Sequence, residues 1–231
     1  MKNELKDLKY VMLSGKFPQD KRNQELHNKS FLFWKNFWNR IFIDKGSGHR
    51  VQADTLCRQD LIGVLVHKER IVGQLLFTFF DYRSLAVKEH SYIVNNFSEE
   101  FFEILQQRKA FNIMTMESLA VESDWRKHSS GVSLSAVILT LTCKHLQEYQ
   151  CDASIGAARS NSAVPDIIHG VGGETLVKNI ELYEEPGELV AIFRDKIKTY
   201  PDLQVQALSE RLWNEREDTT LDIPVVKKKT A

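Results

Sequence analysis

What the chain lacks narrows it first. Its 231 residues hold three cysteines, Cys57, Cys143 and Cys151, and these form no C-x-x-C pair. That spacing predicts neither a disulfide framework nor a thiolate zinc site, and no metal is expected. Cys143 falls in an apolar helical stretch and reads as a small buried hydrophobe. No apolar run is long enough to span a bilayer, and the charged start, Met1 to Lys9, has no signal-peptide core. Cytoplasmic residence without a membrane span is the expectation. Net charge is zero, with 31 basic against 31 acidic residues, so no global pull toward nucleic acid follows. The sequence has no G-x-S-x-G hydrolase elbow, Walker loop or H-E-x-x-H pair, which disfavours those classes. Internal repeats and low-complexity segments are also missing.

What is present is the composition of a globular protein, 42% hydrophobic and 27% charged. Residues 1–29 read as a polar N-terminal extension with weak helical signals. Ser30 can cap a helix over residues 30–43, where Phe31, Trp34, Trp38 and Ile41 recur at helical spacing. Residues 44–58 read as a loop. Two apolar runs around His67-Lys68-Glu69-Arg70 predict a hairpin over residues 59–80. Ser98 before Glu99 and Glu100 predicts a capped amphipathic helix. A strand follows over residues 111–121, a buried helix over 132–149, a short strand over 151–158 and a helix over 161–168. Two further strands, 176–183 and 189–193, are joined through Glu184-Glu185-Pro186-Gly187. A main domain over 30–195 is thus followed by a C-terminal helix and charged tail over 196–231. The order of elements predicts a mixed α/β fold with helices on both faces of the sheet.

The most informative stretch runs from Met116 to Leu146. An apolar strand through Leu119, Ala120 and Val121 enters a polar, basic turn, Arg126-Lys127-His128-Ser129-Ser130-Gly131, and a long apolar helix starts near Val132. A small-residue loop at a helix N-terminus offers unpaired N–H groups and the positive end of the helix dipole to a phosphate. A solvated basic turn is the alternative. For acid–base chemistry, Glu117 stands on the strand before the turn. Strict alternation would put Glu117, Leu119 and Val121 on one face and Glu122 on the other. Glu117 is therefore the candidate base, or else a partner for a nearby arginine.

The spacing Arg126-x-x-Ser129-x-Gly131-x-x-Leu134 resembles the acyl-CoA pyrophosphate loop of the GNAT superfamily of N-acetyltransferases, R-x-x-G-x-G-x-x-L, with serine at its first glycine. The order of elements over residues 59–194 is similar to that family as well. The resemblance implies a mostly antiparallel central sheet, splayed at the strand before the loop, and acetyl-CoA or another acyl-CoA as cofactor. It implies that the pantetheine arm pairs with the backbone of Leu119, Ala120 and Val121. The pyrophosphate then rests on Arg126, Lys127, His128, Ser129, Ser130, Gly131, Val132 and Ser133. Many members place a tyrosine seven residues after an asparagine to protonate the leaving thiolate, and close with Gly-Phe. Here Asn161 holds the asparagine position, Ile168 the tyrosine position and Gly172-Gly173 the closing pair. His169 is the nearest titratable group and the candidate acid, with a helix-end histidine meeting free carbonyls as the alternative.

The expected function is acyl transfer, most simply acetyl transfer, to a small-molecule or peptide amine. "MESLAVESDWR" also resembles the autoinducer and N-acyl amino acid synthases, which carry long chains and take them from acyl carrier protein, usually, or from acyl-CoA. Of their E-x-x-R-x-x-V pattern this chain keeps Glu117, with Ala120 and Ser123 at the other two positions. A non-catalytic acyl-CoA sensor is the third reading, favoured by the missing tyrosine. Acceptor identity and oligomeric state leave no mark on the sequence.

Overall fold

The computed structural model describes residues 4–44, 46, 49–126 and 131–220. These cluster into two compact units, one built from residues 4–78, 117–141 and 202–220, the other from 79–116 and 142–201.

The first unit holds a five-stranded sheet in the order β10-β1-β2-β3-β6. Its strands are β1 (Leu8–Ser14), β2 (Leu61–His67), β3 (Arg70–Phe77), β6 (Glu117–Val121) and β10 (Glu217–Asp218). β1 and β10 run parallel and the other neighbours antiparallel. The expected hairpin is present, with Lys68 at φ 58° in its turn. Helix α1 (Lys21–Asp44) begins well before Ser30, and Ser30 is an interior residue whose hydroxyl donates to Gln74 at 3.0 Å. Trp34 of α1 is buried with Val11, Leu13, Ile62, Val64 and Leu76 in one apolar cluster. Against Gly73 lies Ile138, its Cδ1 2.9 Å from where a Cβ would stand. The short helices α2 (Ala53–Cys57) and α6 (Ser123–Arg126) and the final helix α9 (Leu203–Asn214) complete this unit. Asp202 caps α9 by accepting from Gln204 and Val205.

Within the stretch read as a polar extension, Leu8–Ser14 form β1 and α1 starts at Lys21. "LKYVMLS" lacks clean alternation because both faces of β1 are covered, so the period-2 signal is absent. Its partner β10 is two residues long and too short to show any period.

The second unit holds another five-stranded sheet, in the order β4-β5-β7-β9-β8. These are β4 (Phe79–Asp81), β5 (Asn112–Thr115), β7 (Ala153–Arg159), β8 (Glu174–Leu182) and β9 (Glu185–Phe193). β5 and β7 are parallel and the rest antiparallel. Short helices α3 (Leu85–Lys88) and α4 (Ser91–Asn96) precede α5 (Glu99–Gln107), whose cap is the expected Ser98. Phe97, Phe101, Phe102 and Leu105 pack with Ile155, Leu189 and Phe193 as one core. Helix α7 (Leu134–Glu148) gives its first turns to the first unit and its last to the second. Helix α8 (Val164–Gly170) follows β7.

The strands form two mixed sheets. The strand expected over 111–121 divides at Met116, β5 pairing with β7 and β6 with β3. The turn between β8 and β9 also differs. It consists of Tyr183 and Glu184, both at positive φ (53° and 63°), and Pro186-Gly187 belongs to β9. Two positive-φ residues make the turn that matches strand twist, a geometry that Asn-Gly signals and Tyr-Glu does not.

Candidate active site

β6 is the rim strand of its sheet, bonded to β3 on one edge. Its pairing is irregular. Glu117 stands opposite Leu76 and Ala120 opposite Gln74, so Ser118 and Leu119 oppose the single residue Leu75. Ser118 has φ 54° and its carbonyl accepts from Trp38 Nε1 at 3.3 Å. Such a bulge turns a strand and breaks its alternation. Glu117 shares its face with Ala120, while Val121 lies on the other, unlike the strict alternation expected.

Glu117 is 5% exposed. Its carboxylate takes a two-armed pair from Arg58, Nη1 donating to Oε1 at 3.0 Å and Nη2 to Oε2. Gln59 Nε2 donates to Oε2 at 3.3 Å, and Thr78 Oγ1 donates to Gln59 Oε1 at 3.0 Å. Arg58 Nη1 also donates to Thr78 at 3.3 Å. The cluster is a buried ion pair seated in a polar network.

Of the expected phosphate loop, Lys127, His128, Ser129 and Ser130 lie outside the described residues. Its flanks are described. Arg126 ends α6, exposed, with Nε donating to Val121 O at 3.1 Å and the guanidinium carbon 5.5 Å from the Phe37 ring centre. Those two contacts aim the guanidinium while leaving its Nη groups unbonded among the described residues. Gly131 has φ +80°, with open space where a Cβ would stand. Val132 is buried, and Ser133 caps α7, its hydroxyl accepting from Ala136 N at 3.3 Å. Leu119 is half-buried, and Ala120 and Val121 are buried.

In the second unit, Asn161 is exposed in the turn before α8, and Ile168 is 1% exposed, filling the tyrosine position with packing. His169 is exposed, its Nε2 3.0 Å from Thr175 Oγ1. Thr175 Oγ1 donates to Glu188 Oε2 at 2.5 Å.

No family model and no curated protein matches the chain. Solved structures do. BjaI, a CoA-dependent acyl-homoserine lactone synthase solved with MTA, superposes with TM-score 0.56 at 10% identity, covering 91% of this chain and 93% of that one. FeeM, an N-acyl amino acid synthase from uncultured soil microbes, gives 0.54 at 9% identity over 82% and 92%. MesI, another CoA-dependent acyl-homoserine lactone synthase, gives 0.51 at 10% over 89% and 95%.

The chain has the acyl-CoA N-acyltransferase fold. At such identities the likeness is one of fold, and the site must speak for the chemistry. Within this acyltransferase fold, sequence reasoning missed Arg58, Gln59, Thr78, Thr175 and Glu188. Arg58 stands 59 residues from Glu117 in a stretch that reads as loop, so only tertiary structure joins them. Thr175 and Glu188 look like ordinary strand polar residues, and nothing in their spacing ties them to His169. Among the described residues no group of three or more His, Cys, Asp or Glu is placed to hold a metal, and no helix is long and apolar enough to cross a membrane.

Proposed function

We propose that the protein is an acyl-CoA-dependent N-acyltransferase acting on an amine acceptor. The observation that carries this reading is the acyltransferase fold together with an aimed arginine and an open positive-φ glycine flanking the turn into α7. Those flanks fit a phosphate-bearing donor. Arg126 offers guanidinium donors, and Gly131 permits close backbone approach. Lys127, His128, Ser129, Ser130, Val132 and Ser133 complete the proposed pyrophosphate cradle. The rim of β6 at Leu119, Ala120 and Val121 offers backbone groups for the pantetheine amides. Asn161 is kept as a further donor-binding residue.

The donor supplies an activated thioester. The chain must take a proton from the attacking amine and return one to the leaving sulfur. We assign the first task to Glu117, directly or through water, and the second to His169. Arg58 and Gln59 already occupy both carboxylate oxygens, so relay through water is the better-supported route for it. Ile168 brings no hydroxyl, which leaves His169 as the nearest proton carrier on α8.

The fold likeness to acyl-homoserine lactone and N-acyl amino acid synthases favours a second reading, a longer-chain donor carried on CoA or an acyl carrier protein. Titration calorimetry with acetyl-CoA and longer acyl-CoAs, followed by thiol release with a panel of amines, separates the readings. Arg126→Ala is expected to weaken acyl-CoA binding about tenfold or more, the loss of a charge-assisted contact of about 1.5–3 kcal/mol. Unchanged affinity would refute the phosphate site. Binding without turnover would make the protein a sensor.

A further inference from the structure

We propose that Thr175 and Glu188 are positioning residues that hold His169 in its Nε2–H tautomer, so that Nδ1 is the atom that takes up and releases a proton. The role rests on the acyl-transfer reading above. The tautomer itself rests on hydrogen-bond geometry alone.

The three residues are brought together by register. Thr175 of β8 stands opposite Val190 of β9, and Glu188 lies two residues from Val190 on the same face. Glu188 is 9% exposed. The end of α8 is rigidly placed over that face. Gly173 N donates to Ile168 O at 2.8 Å, Gly172 N to His169 O at 3.0 Å, and Lys198 N to Val171 O at 2.8 Å. Gly172 sits at φ +92°, where a Cβ would stand 2.1 Å from Lys196 O. The carbonyl-meeting helix end expected of His169 is thus made by backbone donors, and the imidazole turns to β8.

The chemistry of the relay has one solution. A carboxylate offers only lone pairs, so the Thr175 hydroxyl gives its single proton to Glu188 at 2.5 Å. The hydroxyl oxygen then has only lone pairs left for His169, 3.0 Å away. The ring nitrogen facing it, Nε2, must carry the hydrogen. In the neutral ring Nδ1 holds the free lone pair. When a proton arrives at Nδ1, the imidazolium is balanced by the Glu188 charge through the hydroxyl. When Nδ1 gives that proton to a leaving thiolate, the ring returns to the same tautomer. Proton count is conserved, and no bond but N–H is made or broken on the protein.

Other charged groups on the elements around α8 are already engaged or differently sited. Glu174 of β8 is held by Arg108 at 2.9 Å, and Arg159 of β7 by Glu185 at 3.2 Å. Asp166 stands one turn earlier on α8, Lys178 further along β8, and Lys196 and Lys198 on the chain after β9.

The test uses the full chain, uniformly ¹⁵N-labelled, with histidine ring nitrogens followed by long-range correlation spectra from pH 5 to 9. Wild type should show Nε2–H as the dominant tautomer of His169. Thr175→Ser should keep it. Thr175→Val and Glu188→Gln should each mix the tautomers. Thiol-release kcat should fall in both variants at unchanged KM for acyl-CoA, and Thr175→Ser should retain it. An Nδ1–H tautomer in wild type, or a tautomer unmoved by both substitutions, overturns the proposal. A kcat unmoved in both variants, despite an altered tautomer, overturns the positioning role alone. A fixed tautomer in a chain that turns over no thioester with any amine overturns the acyl-transfer reading and the role that rests on it.

Discussion

Replacing Glu117 by glutamine tests the buried pair at the heart of the first unit. The carboxylate has acceptors on both arms. Oε1 faces Arg58 Nη1 at 3.0 Å, and Oε2 faces Arg58 Nη2 and, at 3.3 Å, Gln59 Nε2. Glutamine keeps the shape but offers one acceptor. Whichever way the amide turns, its NH2 confronts a donor. The variant loses the charge pair and gains a donor–donor contact. The Glu117 side chain is 4% exposed, so water relieves little of this, but that of Arg58 is 20% exposed and can rehydrate in part. Removing one partner of a buried pair costs about 3–5 kcal/mol, and the exposure of Arg58 points to the lower end, about 3 kcal/mol. Urea unfolding followed by circular dichroism should show the midpoint fall at unchanged m. The double variant Arg58→Met, Glu117→Leu should recover most of the loss, because an apolar pair leaves no unpaired charge. A single variant as stable as wild type, or a double variant worse than either single, would refute the argument. Where the single variant remains folded, turnover lowered ~10²-fold with acyl-CoA binding intact is the mark of a base. Unchanged turnover marks a structural carboxylate.

Cysteine labelling should be selective. Burial pushes the thiols of Cys143 and Cys151 up to about 12, while Cys57 is exposed, so iodoacetamide at neutral pH should modify Cys57 alone, read by peptide mass. Substituting Asn-Gly for Tyr183-Glu184 relieves two positive-φ residues and should raise stability by about 0.5–2 kcal/mol, measured by thermal unfolding; a loss would show that the side chains there matter more than the backbone. Burial holds the pKa of His27 below its ordinary value, against a weaker raising effect from the Gly15 carbonyl. The unfolded chain then binds the extra proton first. The neutral ring's contribution is complete above about pH 6.5 and is lost as pH falls from there through the lowered folded value, so His27→Gln should flatten this part of the stability curve.

The sequence alone was sufficient wherever structure is local. The β2–β3 hairpin, the Ser98-capped α5 and the long apolar α7 follow from periodicity and capping, which act over a few residues. The resemblance in the Arg126 to Leu134 spacing led to the same fold that the solved structures share. Tertiary structure decided what depends on distant partners. β1 is a strand because β2 and the two-residue β10, some two hundred residues away, pair with it. The bulge at Ser118 exists because Glu117 and Ala120 both find partners on β3, and it overrode the alternation on which the face of Glu117 was reckoned. Arg58 reaches that carboxylate, and Thr175 and Glu188 reach His169, only after the chain has folded. Side-chain chemistry can be named from a sequence, but its proton and charge partners are set by packing between segments that no local period connects.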